Sequence, residues 1–333
     1  MAIRIGLNGF GRIGRYLARM VATDSTLELV AVNARADNTQ LAHLLKYDSV
    51  HGRIGCEVEA NEDGFTLAGK QVRVTRCKPG QWCWGEMDVD IVVENTGAFR
   101  DRESCKKMLA CGCKKVVISA PGMNADRTIV MGVNDHELLP DDTIISNASC
   151  TTNCLAPVAK VLHDTFGIER GLMTTIHAYT MSQRILDGTH KDMRRARTAA
   201  VNMLPTTTGA ARAVTQVIPE LQGRLDGMAV RVPIPDGSLV DLTVELGRDT
   251  SAEEINAVMK QAAATERYAG IMGFSMEPLV SSDYIGTTYA GVVDGLCTSV
   301  MRERMAKLII WYDNESGFTN QLLRLIRKAA EVL

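Results

Sequence analysis

The chain has 333 residues, 46% of them apolar and 23% charged, with a formal net charge of −2. That length exceeds one comfortable core and points to two domains, while the near-neutral charge argues against a basic nucleic-acid surface, and no run approaches the roughly 20 apolar residues that span a bilayer. The nine cysteines show no disulfide framework, and Arg4 and Arg12 interrupt any apolar leader, so free thiols in a reducing, cytoplasmic compartment are expected. Cys105, Cys111 and Cys113 lack a zinc spacing, and no metal site is expected.

Residues 2–7 read as a short apolar strand, followed by Asn8-Gly9-Phe10-Gly11-Arg12-Ile13-Gly14 and a helical stretch, 15–21. Gly-x-Gly-x-x-Gly between a strand and a helix is a dinucleotide fingerprint. Gly9 permits the tight turn, Gly11 lets the backbone approach a pyrophosphate, and Gly14 lets the helix pack on the strand, with the helix N-terminus facing the anion. Residues 27–33 complete the βαβ unit. The position after such a strand selects the coenzyme, because an acidic side chain there holds the ribose 2′-hydroxyl of NAD and repels the 2′-phosphate of NADP. This chain has Ala34 and Arg35. Two readings stand: Arg35 pairs with a 2′-phosphate and admits NADP, or Arg35 is solvated and Asp37 supplies the carboxylate. Further strands, 90–94 and 115–118, end in Asn95-Thr96-Gly97 and Ser119-Ala120-Pro121. Polar stops of this kind mark the ligand edge of a doubly wound sheet, although Thr96 and Ser119 would equally begin turns.

The strand-like residues 143–145 lead to Ser149-Cys150-Thr151-Thr152-Asn153-Cys154 and a helical stretch, 155–162. A thiol at a helix N-terminus is stabilised as the reactive thiolate. The plain alternative is a small buried residue at a strand–helix junction, and the run of polar neighbours weighs against it. Cys154, one turn on, reads as packing beneath Cys150. Residues 172–177, 228–232 and 239–245 are strand-like. His177 closes the first of them, and Arg231 is a cation in an otherwise apolar strand, which requires an anionic partner. In the basic run 191–197, Arg195 is a candidate anion ligand, whereas Arg194 and Arg197 read as ion-paired loop residues. Thr206-Thr207-Thr208-Gly209-Ala210-Ala211 offers hydroxyl and backbone donors near a turn. Ser251 is placed to cap a helix over 252–265, with Glu254 at capping-box spacing. Residues 307–311 form a strand before Asp313-Asn314-Glu315, and 320–332 read as an amphipathic terminal helix.

In order and spacing, residues 149–153, His177-Ala178-Tyr179-Thr180, 206–211 and Trp311-Tyr312-Asp313-Asn314-Glu315 resemble the phosphorylating glyceraldehyde-3-phosphate dehydrogenases, a likeness running from Gly6 to Asn314. The resemblance implies an α/β fold with two domains. Residues 1–149 would form a Rossmann-type doubly wound parallel sheet, completed by a C-terminal helix, 315–333. Residues 150–314 would form an α+β catalytic domain with a mixed, mainly antiparallel sheet. It implies Cys150 as nucleophile and His177 as its base. Ser149, Thr151, Thr180, Ser182, Arg195, Thr208, Gly209 and Arg231 would bind the substrate phosphate and inorganic phosphate. Asn8, Gly9, Gly11, Arg12, Ile13, Gly14, Asn33, Arg35, Thr96, Ser119 and Asn314 would bind NAD or NADP, with Asn314 on the nicotinamide carboxamide.

The chain departs from the pattern of this family at Ala34, where NAD-using members carry Asp, and at Ser316 and Phe318, where an aromatic residue and Tyr are common. The implied reaction oxidises D-glyceraldehyde 3-phosphate to 1,3-bisphosphoglycerate through a thioester on Cys150, in a homotetramer whose partners are small molecules rather than nucleic acid or membrane. Erythrose-4-phosphate dehydrogenase is the nearest alternative. A Cys–His hydrolase and a non-catalytic binding protein on the same fold are the others.

Overall fold

The computed structural model describes residues 2–333. By their internal contacts the residues fall into two units, one reaching to Ile129 and including 135–148 and 322–333, the other made of 130–134 and 149–321.

The first unit contains β1 (Ile3–Asn8), α1 (Arg12–Val21), β2 (Leu27–Asn33), α2 (Asn38–Lys46), β3 (Val58–Asn61), β4 (Gly64–Leu67), β5 (Lys70–Thr75), β6 (Ile91–Glu94), α3 (Arg102–Leu109), β7 (Lys115–Ile118), β8 (Arg127–Thr128) and β9 (Ile144–Ser146). The strands form one sheet in the order β3-β4-β5-β2-β1-β6-β7-β9-β8. It is parallel from β5 onward, with β3, β4 and β5 an antiparallel meander. Val92 and Val93 lie on opposite faces of β6 yet are equally buried, as a parallel sheet covered on both sides requires. This explains why the central strands read as continuous apolar runs. The fingerprint glycines bring α1 onto β1. A Cβ on Gly14 would lie 2.7 Å from the Gly9 carbonyl oxygen, and one on Gly9, at φ +96°, would lie 2.8 Å from the Thr96 side chain.

The second unit contains α4 (Cys150–Phe166), β10 (Ile168–Ala178), β11 (Leu204–Thr207), α5 (Ala210–Val217), β12 (Leu225–Val232), β13 (Ser238–Leu246), α6 (Ala252–Ala263), β14 (Met272–Ser275), β15 (Gly291–Met301) and β16 (Met305–Tyr312). Its sheet runs β11-β12-β10-β13-β16-β15-β14. Only the β10–β12 and β14–β15 pairs are parallel; the other four pairings are antiparallel. Along β13, buried and half-buried residues alternate without a break, the pattern of a strand with one face on the core. Helix α4 packs against α5, α6 and β13, so nearly its whole length is buried.

Several boundaries differ from the sequence reading. The helix expected from residue 155 begins at Cys150. The terminal helix α7 (Ser316–Glu331) starts earlier than expected. It also divides, with 316–321 counted in the second unit and 322–333 in the first, where the sequence assigns all of 315–333 to the first. Ser251 caps α6 by accepting the Glu254 N–H at 3.2 Å. The reciprocal half of the capping box is diverted, because the Glu254 carboxylate takes Arg248 at 2.9 Å and the Thr250 hydroxyl at 2.8 Å. The meander β3–β5 and strands β11, β14 and β15 were not foreseen.

Candidate active site

At the C-terminal edge of the first sheet the strand ends are joined by buried polar groups. The Asn8 amide donates to Glu94 at 2.5 Å, and Asn33 donates to Asn8 Oδ1 at 3.0 Å. Asn33 Oδ1 in turn accepts the Thr75 hydroxyl at 3.0 Å and the Cys77 N–H at 2.8 Å. The Thr96 hydroxyl and backbone N–H both bond Glu94. Burial pushes the Glu94 carboxyl up against the opposing pull of Thr96 and Asn8. Ser119 donates to the Glu94 carbonyl at 2.8 Å. The network ties together Asn8, Asn33, Thr96 and Ser119, which the sequence singled out, through Glu94, Thr75 and Cys77, which it did not. A polar residue closing each apolar strand was the available signal.

The structure tests the fit of a dinucleotide at this edge. Gly11 is the N-cap of α1, and no side chain caps that helix end. A Cβ on Gly11 would meet nothing within 4 Å. The turn therefore leaves backbone N–H groups and room for a pyrophosphate. Arg12, at the first helical position, is held by Asp48 at 2.5 Å. Burial pushes the Asp48 carboxyl up, but the Arg12 hydrogen bond and the N–H groups of His51 and Val50 outweigh it and hold the group at about 2. Ile13 continues the helix, and Arg35 is exposed beyond β2. The Asp37 carboxylate is engaged as the N-cap of α2, accepting the Gln40 N–H at 2.9 Å.

In the second unit, Ser149 caps α4 by accepting the Thr152 N–H at 3.1 Å, which leaves Cys150 as the first helical residue. Parallel register sets His177 of β10 opposite Arg231 of β12. Cys150 Sγ lies 3.4 Å from His177 Nε2. Arg231 reaches the other ring nitrogen, Nδ1, at 2.6 Å and the Ala178 carbonyl oxygen at 2.7 Å. A guanidinium can only donate, so Nδ1 accepts and the ring hydrogen sits on Nε2, facing the sulfur. The imidazole, 4% exposed, is held neutral: burial first, then the charge of Arg231, lower it to about 3. At Cys150, burial and the neighbouring cation pull in opposite directions. Burial pushes its thiol up, and Arg231 opposes this only in part. The polar word around the cysteine signals a helix cap, but it does not reveal how far the sulfur is removed from water.

Thr151 is buried and bonds the Tyr312 hydroxyl at 2.9 Å; Tyr312 also bonds Thr175 at 2.8 Å. Thr151 thus ties α4 to the sheet through Tyr312, a residue whose role the sequence gave no sign of. Cys154 lies beneath, its thiol directed at the Ile310 carbonyl at 3.8 Å. Thr180 and Ser182 pair through their hydroxyls at 2.9 Å. Arg195 donates to the Thr206 hydroxyl at 2.9 Å and lies close enough to Arg231 for their charges to oppose. Arg197 pairs with Asp187 at 3.0 Å, and Arg194 reaches the Pro205 carbonyl. Thr208 accepts the Ala210 N–H at 3.2 Å, and Gly209 caps α5 without a side chain. Ser238 accepts the Ala178 N–H and donates its hydroxyl to Asn314 Oδ1 at 2.6 Å. This fixes which way the Asn314 amide faces.

Residues 3–102 match the family described as glyceraldehyde 3-phosphate dehydrogenase, NAD binding domain, and residues 149–314 match its C-terminal domain. The chain belongs to the glyceraldehyde-3-phosphate dehydrogenase family. It is 54% identical to the glyceraldehyde-3-phosphate dehydrogenase of Geobacillus stearothermophilus over 98% of this chain and 97% of that protein. It is 52% identical to glyceraldehyde-3-phosphate dehydrogenase 1 of Bacillus subtilis (strain 168) over the same shares. Against the Streptomyces coelicolor protein of that name it is 50% identical, over 98% of both chains. Membership agrees with a doubly wound sheet in one unit and a mixed, mainly antiparallel sheet in the other.

The neutral His177 has a pH signature. Its folded value of about 3 lies below the unfolded value of 6.5, so between those limits the unfolded chain binds the extra proton and stability rises with pH. Thermal unfolding should therefore show a loss of stability as pH falls through that window. In His177→Gln the loss should be shallower, and equal slopes would contradict the assignment.

Proposed function

We propose that the protein catalyses the phosphorylating oxidation of D-glyceraldehyde 3-phosphate to 1,3-bisphosphoglycerate. The observation that carries the reading is the line Cys150–His177–Arg231, with sulfur, imidazole and cation in consecutive contact. The relatives bear the triose-phosphate name, and no observation favours erythrose 4-phosphate.

In the first unit, residues 8–14, Asn33, Thr96 and Ser119 would hold a nicotinamide dinucleotide, which would supply the hydride acceptor; in the second, Asn314 offers an oriented amide. Cys150 adds to the aldehyde carbon, aided by its place at the N-terminus of α4. An anionic phosphate takes the guanidinium of Arg231, with Arg195, Thr180 and Ser182 as further donors. That releases Nδ1 of His177 to take up the Cys150 thiol proton through solvent and hold it toward the Ala178 oxygen, 2.7 Å away, while Nε2 passes its hydrogen to the carbonyl oxygen as the sulfur adds. Nε2 is then free to take the hydroxyl proton as the carbon is oxidised to the thioester. Inorganic phosphate, met by Ser149, Thr208 and the N–H groups at Gly209, attacks the thioester carbon, and the Cys150 thiolate leaves, while Thr151 holds the first turn of α4 through Tyr312. The cost of keeping the imidazole beside a cation is thus relieved when substrate arrives.

For the coenzyme, three observations support NADP. No carboxylate follows β2, where Ala34 and Arg35 stand. Asp37 is occupied in capping α2. The β2–β5 register, which pairs Asn33 with Thr75, brings Arg76 in alongside Ala34, and Arg76 bonds the Ala36 oxygen at 2.7 Å. Two arginines at the strand ends, with Asp37 committed through one oxygen to the α2 N-terminus, suit a 2′-phosphate.

The nine cysteines are free thiols, which supports a reducing, cytoplasmic setting. No helix among the described residues is long and apolar enough to cross a membrane. Met181, Leu186, Met193 and Met203 are each at least 74% exposed within one loop region, which supports burial against further copies of the chain. Sedimentation should give a tetramer, and a monomer at micromolar concentration would oppose this.

Activity is tested by coenzyme reduction with glyceraldehyde 3-phosphate, with and without phosphate, using NAD and NADP in parallel. Turnover should require phosphate. Replacing Arg35 or Arg76 with Leu should cut kcat/KM for NADP about tenfold, the scale of one charge-assisted contact, and leave NAD nearly unchanged. A strong NAD preference undone by Asp37→Ala would overturn the coenzyme choice. Cys150→Ser should keep coenzyme affinity and lose turnover.

A further inference from the structure

Beyond the reaction cysteine, two other thiols lie together. Cys77 and Cys83 Sγ atoms stand 3.6 Å apart, and both residues are half-buried with access to solvent. The five residues between them fold back through a turn in which Gln81 N–H bonds the Lys78 oxygen at 3.0 Å, with Gly80 at φ +81°. The far end is anchored: Trp84 is fully buried and the Gly85 N–H bonds the Cys111 oxygen at 2.9 Å. The near end is clasped on both backbone groups by one side chain. Asn33 accepts the Cys77 N–H at 2.8 Å and donates to its carbonyl oxygen at 3.3 Å. Asn33 is the residue that closes β2 and bonds Asn8 of the fingerprint turn.

We propose that Cys77 and Cys83 form a reversible intramolecular disulfide that weakens coenzyme binding. The oxidant is a low-molecular-weight disulfide such as oxidised glutathione. One cysteine thiolate attacks it, forming a mixed disulfide and expelling one glutathione thiol. The second cysteine then displaces the other glutathione, so that two protein thiols are oxidised, two glutathione thiols are formed and the protons pass between them. Bond formation draws the sulfurs from contact to about 2.05 Å. With Trp84 and Gly85 fixed by the core, the movement falls on the Cys77 side, where it strains the Asn33 clasp. Loss of those hydrogen bonds loosens Asn33 from Asn8 and from the strand edge that receives the dinucleotide. The disulfide itself stands on the thiol geometry alone; its effect on coenzyme rests on the function proposed above.

The test uses the full-length Cys150→Ser protein, so that the reaction cysteine does not compete for oxidant. After incubation with oxidised glutathione, free thiols are alkylated and the protein is digested with trypsin. Cys77 and Cys83 are the only cysteines of the peptide running from residue 77 to Arg100, because Lys78 is followed by Pro79. The expected product is this peptide unalkylated and two hydrogens lighter, restored by dithiothreitol. NADPH affinity, measured by titration calorimetry, should fall about fivefold on oxidation, the scale of one neutral hydrogen bond. Cys83→Ala should bind NADPH as the reduced protein does and show no response to oxidant. A peptide that stays alkylated, or carries glutathione on each cysteine, would overturn the disulfide. A disulfide that leaves NADPH and NAD affinity unchanged would overturn its effect on coenzyme. Failure of the reduced protein to bind either coenzyme would instead overturn the proposed function and leave the disulfide standing.

Discussion

The site depends on one costly contact, a guanidinium held against a neutral imidazole in a place from which water is largely excluded. Arg231 and His177 are set side by side by the parallel register of β10 and β12, so their backbones cannot part without breaking the sheet, although the guanidinium can turn toward a ligand. A cation in such a position depresses the imidazole and is itself depressed by burial. Only an anion resolves both effects. On the proposed reading, that anion is the substrate phosphate, and the acid–base chemistry is coupled to its arrival. Cys150 shares the arrangement, since Arg231 opposes the burial that keeps its thiol protonated.

The supports of this contact are polar groups inside the second unit. Tyr312 holds Thr151 and Thr175 at once, joining the first turn of α4 to the strand that ends in His177. Its ring also stands edge-on to the imidazole at 5.9 Å. Ser238 joins Ala178 to Asn314. The result is a thiol and an imidazole carried on rigid elements, their spacing set by buried hydrogen bonds. In the first unit, Glu94, Asn8 and Asn33 do the same for the strand ends. There Gly11 leaves the α1 N-terminus uncapped and open.

Much of this was readable from residues alone. The glycine fingerprint was legible because its spacing obeys a steric requirement, seen in the 2.7 Å that a Cβ on Gly14 would leave to Gly9. Cys150 stood out for the polar run around it at a strand–helix junction, Arg231 as a cation in an otherwise apolar strand, and His177 through the family resemblance. Burial, which opposes the thiolate at Cys150, was not legible, because a helix N-terminus is a local feature whereas burial is set by the elements packed around it. Tyr312 and Glu94 were missed for the same reason, since each looks like an ordinary strand residue until its distant partners are known. The meander β3–β5 was illegible because its strands are short and largely polar, with β3 exposed over three of its four residues. The role of Asp37 was left open by the sequence, and the structure shows it capping α2 through the Gln40 N–H.

The central claim is that Cys150 carries the substrate carbon as an acyl group while phosphate waits on the donors around it. The most direct measurement is mass spectrometry of the acid-quenched protein after a single turnover with glyceraldehyde 3-phosphate and oxidised coenzyme, without phosphate. The account predicts a phosphoglyceryl adduct on the peptide containing Cys150, lost when phosphate is added before the quench. Reduced coenzyme formed with no adduct on that sulfur would contradict it.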